Sequence, residues 1–290
     1  GTATSRSPSS MPITPTNASC PPAPARSGLL LPQLELQGPE QMALDAWLLE
    51  QCVQGALTSP VLRFYTWPGA WLSLGHHQQE LPGRWTRLEQ RGALQRVRRP
   101  SGGGGVLHAG GLTYALIWPH APRSRRQAYQ ATSQWLVEGF AKLGVTLRAG
   151  DAEATAGSAH CFASSTSADL MDGSGSKRIG SAQFWRRGHL LQHGEIVLQP
   201  PAALWRDLFQ SDPPSPLEGL TREPIVAALK DALPLLWPGL SWMPHQLKTS
   251  QWDEIRKQVS LYRVFGDGSS SSNPEACIDA TACTRGKPNG

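Results

Sequence analysis

The amino-acid sequence predicts an α/β protein of the α+β kind, in which a mixed β-sheet is flanked by helices. Segments with helical periodicity are interspersed with short strand-like segments, and several of the strands are separated by turns of hairpin length. No internal repeat is evident. Hairpin turns join antiparallel strands, so they favour a mixed sheet over a doubly wound parallel sheet.

The ends of the 290-residue chain differ in composition from its middle. Residues 1–28 are rich in Ser, Thr, Pro and Ala, and residues 266–290 lack a core-forming pattern, so we expect both segments to be disordered. Residues 29–265 are long enough for one globular core. We expect them to form a single domain whose small helical C-terminal part starts at about residue 200.

The first half of this domain is predicted to contain one helix and several strands. Apolar residues recur at helical spacing over residues 40–52. Residues 61–67 and 71–74 are typical of two short strands separated by a Pro-Gly turn. Residues 93–97 and 112–118 are strand-like and lie on either side of a glycine-rich loop.

The second half is predicted to begin with a helix over residues 125–143 and a short strand over 145–148. Residues 179–185 and 189–198 are predicted to pair as a hairpin that turns at Arg186-Arg187-Gly188. Three shorter helices are predicted at residues 202–210, 222–233 and 250–262.

Composition also limits the compartment and the partners. No segment approaches the ~18 consecutive apolar residues of a membrane helix, and no secretory signal opens the sequence. The five cysteines show no CxxC pair and no disulfide spacing, which indicates a reducing compartment. We therefore expect a cytoplasmic protein that does not associate with a membrane.

The formal net charge of +5 is concentrated in arginine clusters. Such clusters could bind nucleic acid, dock a small acidic protein or remain solvated. No nucleic-acid-binding motif is present, so no nucleic-acid partner is expected. The clusters are Arg96/Arg98/Arg99, Arg123/Arg125/Arg126 and Arg186/Arg187.

The most informative segment is residues 98–108, which read RRPSGGGGVLH. Glycine allows a positive φ and lets the backbone approach another group closely. Bare backbone amides between two strands can form a nest for an anion or a carbonyl, although a simple glycine-rich hairpin is the alternative. The run does not fit G-x-G-x-x-G, and the Gly-Lys-Ser/Thr of a phosphate-binding loop is absent.

Two residues in or beside a long loop at residues 149–176 could do chemistry. Loops longer than ~12–15 residues are usually functional or disordered. Cys161 could act as a nucleophile, with His160 helping to lower the pKa of its thiol, or it could be a small buried hydrophobe. Lys177 enters the following strand, where it could polarise a carbonyl or stabilise an oxyanion, unless it lies at a solvated strand edge.

The histidines do not predict a metal site. His189 and His193 share a face of a predicted strand, but no third ligand is obvious. His76-His77 is typical of a turn.

These segments together resemble the biotin/lipoate protein ligase and transferase family, in particular its lipoate-protein ligase A and cysteine-dependent octanoyltransferase branches. The resemblance covers most of residues 29–198. The matching pieces are, in chain order, Met42-Ala43-Leu44-Asp45, the strand pair from Trp67-Pro68 to Ser73-Leu74-Gly75, Arg98-Arg99-Pro100-Ser101-Gly102-Gly103-Gly104, His108, Lys177-Arg178-Ile179-Gly180-Ser181-Ala182-Gln183 and Leu191-Gln192-His193-Gly194.

The resemblance implies that residues 29–265 hold a catalytic domain whose arginine-glycine loop and lysine-bearing strand enclose an acyl group. Lys177 would contact the acyl carbonyl, and Cys161-Phe162 resembles the cysteine loop of the octanoyltransferases. Ala109 stands where the family usually has an acidic residue, and Gly104 matches the ligases. The substrate-binding residues so implied are Arg98, Arg99, Ser101, Gly102, Gly103, Gly104, Gly105, His108, Gly180, Ser181, Ala182 and His193.

By this resemblance we expect an octanoyltransferase that needs neither metal nor ATP. It would move an octanoyl group from acyl carrier protein to a lysine of a lipoyl domain, or of the glycine cleavage H protein, through a thioester on Cys161. An ATP- and Mg-dependent lipoate-protein ligase is the alternative, and an inactive relative that binds lipoyl domains is a second one. The arginines at 123–126 and 186–187 would dock the acidic carrier.

Overall fold

The computed structural model describes residues 27–150 and 169–266, together with the backbone of residues 269–270. The first part of the chain contains β1 (Ser27–Leu30), β2 (Leu34–Glu35), α1 (Gly38–Val53), β3 (Val61–Thr66), β4 (Trp71–Leu74), α2 (Gly83–Gln90), β5 (Gln95–Arg98), β6 (Val106–His108) and β7 (Leu112–Trp118). The second part contains α3 (Arg125–Ala141), β8 (Arg148–Ala149), β9 (Leu170–Met171), β10 (Lys177–Arg186), β11 (His189–Ile196), α4 (Ala202–Phe209), α5 (Arg222–Asp231), β12 (Ser241–Pro244), α6 (Thr249–Gln258), β13 (Val264–Phe265) and β14 (Ser269–Ser270). Short 3-10 helices follow α5 at Leu233–Leu235 and α6 at Val259–Tyr262.

The described strands form one large sheet and two smaller ones. The large sheet has nine strands in the order β12-β1-β3-β7-β11-β10-β9-β8, with β2 paired to β3. Strand β1 pairs in parallel with β3 and β12, whereas β3, β7, β11 and β10 pair in antiparallel fashion. The expected mixed sheet with flanking helices is therefore confirmed.

A three-stranded sheet, in the order β5-β4-β6, carries the arginine-glycine loop. Strand β4 runs parallel to β5 and antiparallel to β6, so the loop between β5 and β6 crosses the end of β4. The sequence analysis predicted that this loop leads directly into the strand at residues 112–118, which is β7. The structure inserts β6 between them, because the short run Val106–His108 pairs with β4.

Alternation along the central strands gives the large sheet two different buried faces. On β3, Leu62 and Phe64 belong to an apolar core that also includes residues of α3 and α5. Arg63 and Tyr65 alternate with them and are equally buried, on the face that α1 covers. A Pro in its first turn, Pro39, suits the start of α1, since its missing N–H is not needed there.

The structure corrects several expected boundaries. Strand β1 begins at Ser27, two residues before the expected start of the domain. The strand predicted at residues 145–148 is wrong over most of its length, because the Val145 N–H closes the end of α3 by donating to the Phe140 carbonyl. Strands β1, β2, β6 and β12 and helix α2 were not predicted at all, because each is short or offers few apolar positions.

Candidate active site

A cleft that is open to solvent lies between the arginine-glycine loop and strands β10 and β11. Met42, Val106 and Ala182 give it apolar walls. Most of the residues that the sequence singled out line it, namely Arg99, Gly102, Gly103, His108, Lys177, Gly180, Ser181, Ala182 and His193.

Arg99 holds the loop in shape from within. Its guanidinium donates to the carbonyl and hydroxyl oxygens of Ser73, both at 2.8 Å, and to the carbonyl oxygens of Gly102 and Gly104 at 2.8 and 2.9 Å. The φ of Gly103 is +99°, a conformation that favours glycine. A Cβ on Gly75 would collide with the Gly103 carbonyl oxygen, so the loop and the end of β4 meet backbone to backbone.

The remaining expected loop residues lie behind the cleft wall. Arg98 donates to the carbonyl oxygens of Gly75 and Gln78, both at 2.8 Å, and so anchors the loop from outside. A Cβ on Gly105 would lie 2.6 Å from the Trp85 ring, because this glycine packs against the core of the small sheet. Arg99 directly follows the last residue of β5, and adjacent side chains of extended backbone point to opposite sides, which explains why Arg99 lines the cleft and Arg98 does not.

His193 connects the loop to helix α1 through a buried chain of hydrogen bonds. Its Nε2 lies 2.5 Å from the Ser101 hydroxyl, and its Nδ1 lies 3.0 Å from an Asp45 carboxylate oxygen. The same carboxylate accepts from the Tyr65 hydroxyl at 2.7 Å and lies 2.9 Å from the Arg63 guanidinium. Asp45 belongs to one of the matching motifs, but no role was predicted for it.

Two pKa shifts follow from this environment. Burial lowers the pKa of His193, helped by the positive charge of Arg99, and the opposing effect of Asp45 does not restore it. Burial alone would raise the pKa of Asp45, but Arg63 and His193 together hold it below its usual range. We therefore assign an ionised Asp45 and a neutral His193 at neutral pH, with Nδ1–H donating to the carboxylate and Nε2 accepting from Ser101.

A second histidine–carboxylate pair lies along the same cleft. His108 Nδ1 is 2.9 Å from the Glu195 carboxylate, and His108 Nε2 is 2.7 Å from the Ser73 hydroxyl. Glu195 also accepts from the Thr113 hydroxyl. Trp67 stacks on the His108 ring with centroids 4.1 Å apart. These contacts fix both nitrogens of the imidazole.

Glu195 lines the cleft and was missed by the sequence analysis. The resemblance directed attention to position 109, where Ala109 packs against the core of the small sheet. The carboxylate that contacts His108 comes from β11 instead, two residues after His193. Because residues two apart on a strand share a face, the spacing of His193 and Glu195 was the available signal.

Lys177 and Asp169 form a buried ion pair in the wall of the cleft. The Lys177 Nζ lies 2.8 Å from an Asp169 carboxylate oxygen, and both side chains are almost fully buried. Isolated buried charges are costly, so Asp169 accounts for a protonated lysine at this depth. No pattern in the sequence pointed to Asp169.

The neighbour of this lysine, Arg178, secures the start of β10. Its guanidinium donates twice to Asp172, at 3.1 and 2.6 Å, and once each to the carbonyl oxygens of Val197 and Ser215 at 2.8 and 2.7 Å. Arg178 is fully buried. Lys177 is therefore presented from a strand end that is tied to three separate segments of the chain.

The charged groups along the cleft are matched among themselves. Among the described residues that line it, the two cationic side chains, Arg99 and Lys177, both contact protein oxygens, and the two imidazoles contact carboxylates and serine hydroxyls. Two carboxylates, Asp169 and Glu195, also line it. Such a cavity suits an uncharged apolar group that carries a polarisable carbonyl.

Three expectations concern residues elsewhere. Cys161 and its neighbours His160 and Phe162 lie outside the described residues. His189 makes an edge-to-face contact with His120, at a centroid distance of 4.6 Å, rather than meeting His193. Within residues 27–150 and 169–266 no cluster of three or more His, Cys, Asp or Glu side chains could hold a metal ion, and no helix is long and apolar enough to cross a membrane.

The fold and this cleft match a known family of catalytic domains. The family model of the lipoyl protein ligase A/B catalytic domain matches residues 37–216, and the chain belongs to this family. The matched residues run from the start of α1 past α4, and so include both walls of the cleft.

Comparison with individual curated proteins identifies relatives of the chain within this family. The chain is 38% identical over 180 residues to the octanoyltransferase LipM of Halalkalibacterium halodurans, which covers 58% of this chain and 64% of that protein. It is 36% identical over 169 residues to the octanoyltransferase LipM of Staphylococcus epidermidis, which covers 54% of this chain and 60% of that protein. The chain thus spans less than two thirds of the length of these relatives.

Solved structures share the fold at low sequence identity. A lipoate-protein ligase A bound with ATP superposes with a TM-score of 0.66 at 18% identity, over 80% of this chain and 94% of that one. A bipartite lipoate protein ligase from Thermoplasma acidophilum superposes with a TM-score of 0.62 at 17% identity, over 81% and 92% of the two chains.

Proposed function

We propose that this protein is an octanoyltransferase of protein lipoylation, which moves an octanoyl group from acyl carrier protein to a lysine of a lipoyl domain or of the glycine cleavage H protein. The observation that carries the proposal is the internal matching of charge in the cleft. Arg99 contacts four protein oxygens, and Lys177 contacts the Asp169 carboxylate. The relatives named octanoyltransferase LipM support the same reaction class.

The charge argument separates two kinds of acyl substrate. A ligase starts from a free carboxylate and ATP, and both anions need cationic partners inside the site. A transferase starts from a thioester, which is neutral until an oxyanion develops in the transition state. With Asp169 and Glu195 in its wall, the cleft favours the neutral thioester.

In the first step the Cys161 thiolate attacks the carbonyl carbon of the octanoyl thioester. A new C–S bond forms, and the bond to the carrier's sulfur breaks. The proton that Cys161 loses ends on the departing carrier thiol. Lys177 stabilises the oxyanion of the tetrahedral intermediate, since its side chain lines the cleft and an ammonium cation attracts the charge that develops there.

In the second step the amine of the acceptor lysine attacks the carbonyl of the acyl-enzyme. A C–N bond forms, the C–S bond breaks, and a proton from the amine restores the Cys161 thiol. Conversion of a thioester to an amide is downhill, so the reaction needs no metal, ATP or other cofactor. The apolar cleft holds the octanoyl chain, and the loop at Gly102 and Gly103 forms one of its walls.

A lipoate-protein ligase that uses ATP and Mg is the second candidate. It is favoured by Gly104, which matches the ligase pattern, and by the shared fold of a lipoate-protein ligase A solved with ATP. For either function we propose a cytoplasmic location, because the cysteines show no spacing typical of disulfides.

The deciding experiment is acyl-enzyme formation without ATP. The protein is incubated with octanoyl-acyl carrier protein, and its intact mass is measured by mass spectrometry. We expect one octanoyl adduct, which maps to Cys161 after proteolysis and is lost in Cys161→Ser.

Cys52 provides the matched control. Its thiol is buried in α1, and burial raises its pKa to about 12, so Cys52→Ala leaves the adduct unchanged. An adduct that persists in Cys161→Ser would contradict the transferase. Modification of a lipoyl domain that requires ATP and free lipoate would establish the ligase instead.

A further inference from the structure

The tip of the β10–β11 hairpin rests against the start of α3. The Ala121 N–H donates to the Gly188 carbonyl at 3.0 Å, and the His120 N–H donates to His189 Nδ1 at 3.1 Å. Beneath these bonds, Ala121, Ala128 and Leu190 form a small apolar cluster of their own. The hairpin tip and the start of α3 therefore form one continuous surface.

This surface carries five exposed arginines, which we call the arginine surface: Arg123, Arg125, Arg126, Arg186 and Arg187. Residues 118–130 and 185–190, which build it, contain no Asp or Glu. An acidic contact comes from α1, where a Glu50 carboxylate oxygen lies 3.4 Å from the Arg186 guanidinium.

The arginines at the start of α3 do not stabilise the helix. The positive end of a helix dipole lies at its N-terminus, so basic residues there are unfavourable. The first turn of α3 contains no acidic residue that would offset them. Because these arginines are unfavourable for the helix, their presence indicates a binding partner outside the chain.

The arginine surface also accounts for the charge balance of the molecule. The chain has a formal net charge of +5 at pH 7. Five guanidinium groups equal that excess, so acidic and basic residues elsewhere cancel. A cluster of positive charges steers and orients a negatively charged macromolecule.

The same hairpin connects this surface to the cleft. Arg186 is paired with His189 at the tip, and Ala182 is paired with His193 in the cleft wall. Ala182 and Arg186 are four positions apart on β10, which corresponds to roughly 13 Å at about 3.3 Å per residue. A protein docked on the arginine surface therefore lies beside the acyl site.

We propose that the arginine surface docks an acidic face of the carrier protein that delivers the acyl group. This inference rests on the proposed function, because it identifies the partner from which the cleft receives its substrate. The position of the surface on the cleft's own hairpin favours a partner that brings cargo to the cleft over a nucleic acid or a membrane.

The test compares two acyl donors on one variant. Arg125→Glu/Arg126→Glu/Arg187→Glu reverses three charges and spares Arg186, which contacts Glu50. With octanoyl-acyl carrier protein, we expect kcat/KM for acyl-enzyme formation to fall at least ~10-fold. With octanoyl-pantetheine, which has the thioester but no protein surface, we expect a change of less than about twofold.

A matched control reverses three exposed arginines elsewhere. Arg91→Glu/Arg206→Glu/Arg256→Glu alters exposed ion pairs with aspartates, which contribute little to stability. It should leave kcat/KM with both donors within about twofold of the unmodified protein. Equal losses with both donors in the arginine-surface variant, or no loss with either, would overturn the docking proposal.

A direct measurement of carrier binding tests this inference independently of the proposed function. Binding of the phosphopantetheinylated carrier is measured by calorimetry at low and high salt, without an acyl group. Binding that the arginine-surface variant loses supports docking even if no acyl-enzyme forms, in which case the transferase alone fails. Unchanged carrier binding overturns docking, and so does a loss confined to lipoyl domains or to vesicles of anionic lipid.

Discussion

The two faces of the large sheet are equally buried but differ in chemistry. The face under α3 and α5 is apolar, with Leu62, Phe64, Leu116 and Trp135 among its core residues. The face toward α1 and the small sheet also has apolar residues, such as Ile117 and Leu191, but it adds charged and polar ones. These are Arg63, Tyr65, Thr113, His193 and Glu195, with Asp45 of α1 packed against them. Alternate residues of the same strands supply both faces.

This difference predicts that stability and activity depend on different faces of the sheet. Buried apolar side chains lower the free energy of the folded state directly, whereas buried ion pairs often gain little over apolar replacements. A buried polar face is therefore weak support for stability and is best explained by the cleft that it borders. Substitutions on the first face should change stability, and substitutions on the second should change chemistry.

The largest effect is expected on the apolar face. Trp135 is fully buried and donates to the Leu229 carbonyl at 2.8 Å, so Trp135→Ala leaves a cavity and an unpaired acceptor. We expect a loss of about 3–5 kcal/mol in the free energy of unfolding, measured by urea denaturation. The transfer rate per folded molecule should be unchanged. A comparable loss of that rate would mean that the two faces are not separable.

The next largest effect is expected at Lys177. Lys177→Met removes the cation that faces the developing oxyanion, and the transfer rate should fall about 10²–10³-fold. It also leaves Asp169 buried without its cation, so stability falls as well. The double variant Lys177→Met/Asp169→Leu should recover the stability but not the rate.

Lys142→Met is the control for that measurement. Lys142 is exposed at the end of α3, on the side of the sheet away from the cleft. Its substitution should change neither the rate nor the stability by a measurable amount. Recovery of the transfer rate in the double variant would show that Lys177 has no role beyond neutralising Asp169.

Substitutions of two glycines in the cleft wall should have smaller effects, one on stability and the other on binding of the octanoyl donor. A Cβ on Gly194 would lie 2.6 Å from the Ser181 hydroxyl oxygen, so Gly194→Ala should cost about 1–3 kcal/mol of stability. A Cβ on Gly102 meets no atom within 4 Å, so Gly102→Ala should leave the melting temperature unchanged. Because that methyl group would enter the cleft, KM for the octanoyl donor should rise about tenfold.

The smallest effect expected is a pH dependence of stability on the polar face. Burial lowers the pKa of His193 below its usual 6.5, so the unfolded chain binds a proton that the folded chain resists. The stabilisation is present above pH 6.5 and is lost as the pH falls through the lowered pKa. Melting temperatures between about pH 5 and 7.5 measure this slope.

His193→Gln should reduce that slope. An unchanged slope in His193→Gln would mean that folding does not lower the pKa of His193. Asp45 acts in a separate, more acidic window. Its lowered pKa gives stability above about pH 3.8 that is lost as the pH falls further.

The sequence predicted those parts of the molecule that depend on local patterns. Helix α1 and strands β3, β4, β10 and β11 were found because their periodicity and turns lie within short windows. Strands β1 and β12 were missed because neither carries a pattern of its own and each depends on a partner distant in the chain.

The same division applies to the cleft. Lys177 and His193 belong to local motifs, so the sequence identified them as candidates. The pairing of these residues with carboxylates was not predicted: Asp45 lies 148 positions from His193, and Glu195 lies 87 positions from His108. Such pairs form only when strands and helices pack, so a motif or a strand spacing can mark one residue but does not reveal its partner.

The anchoring of Arg178 sets a limit on how far the molecule can be shortened. One of its donors reaches the carbonyl of Ser215, beyond the last strand of the cleft and beyond α4. A fragment that ended with β11 would keep the lining side chains but leave this buried guanidinium short of a partner. The smallest working unit therefore extends to Ser215, close to residue 216, where the match to the family model ends.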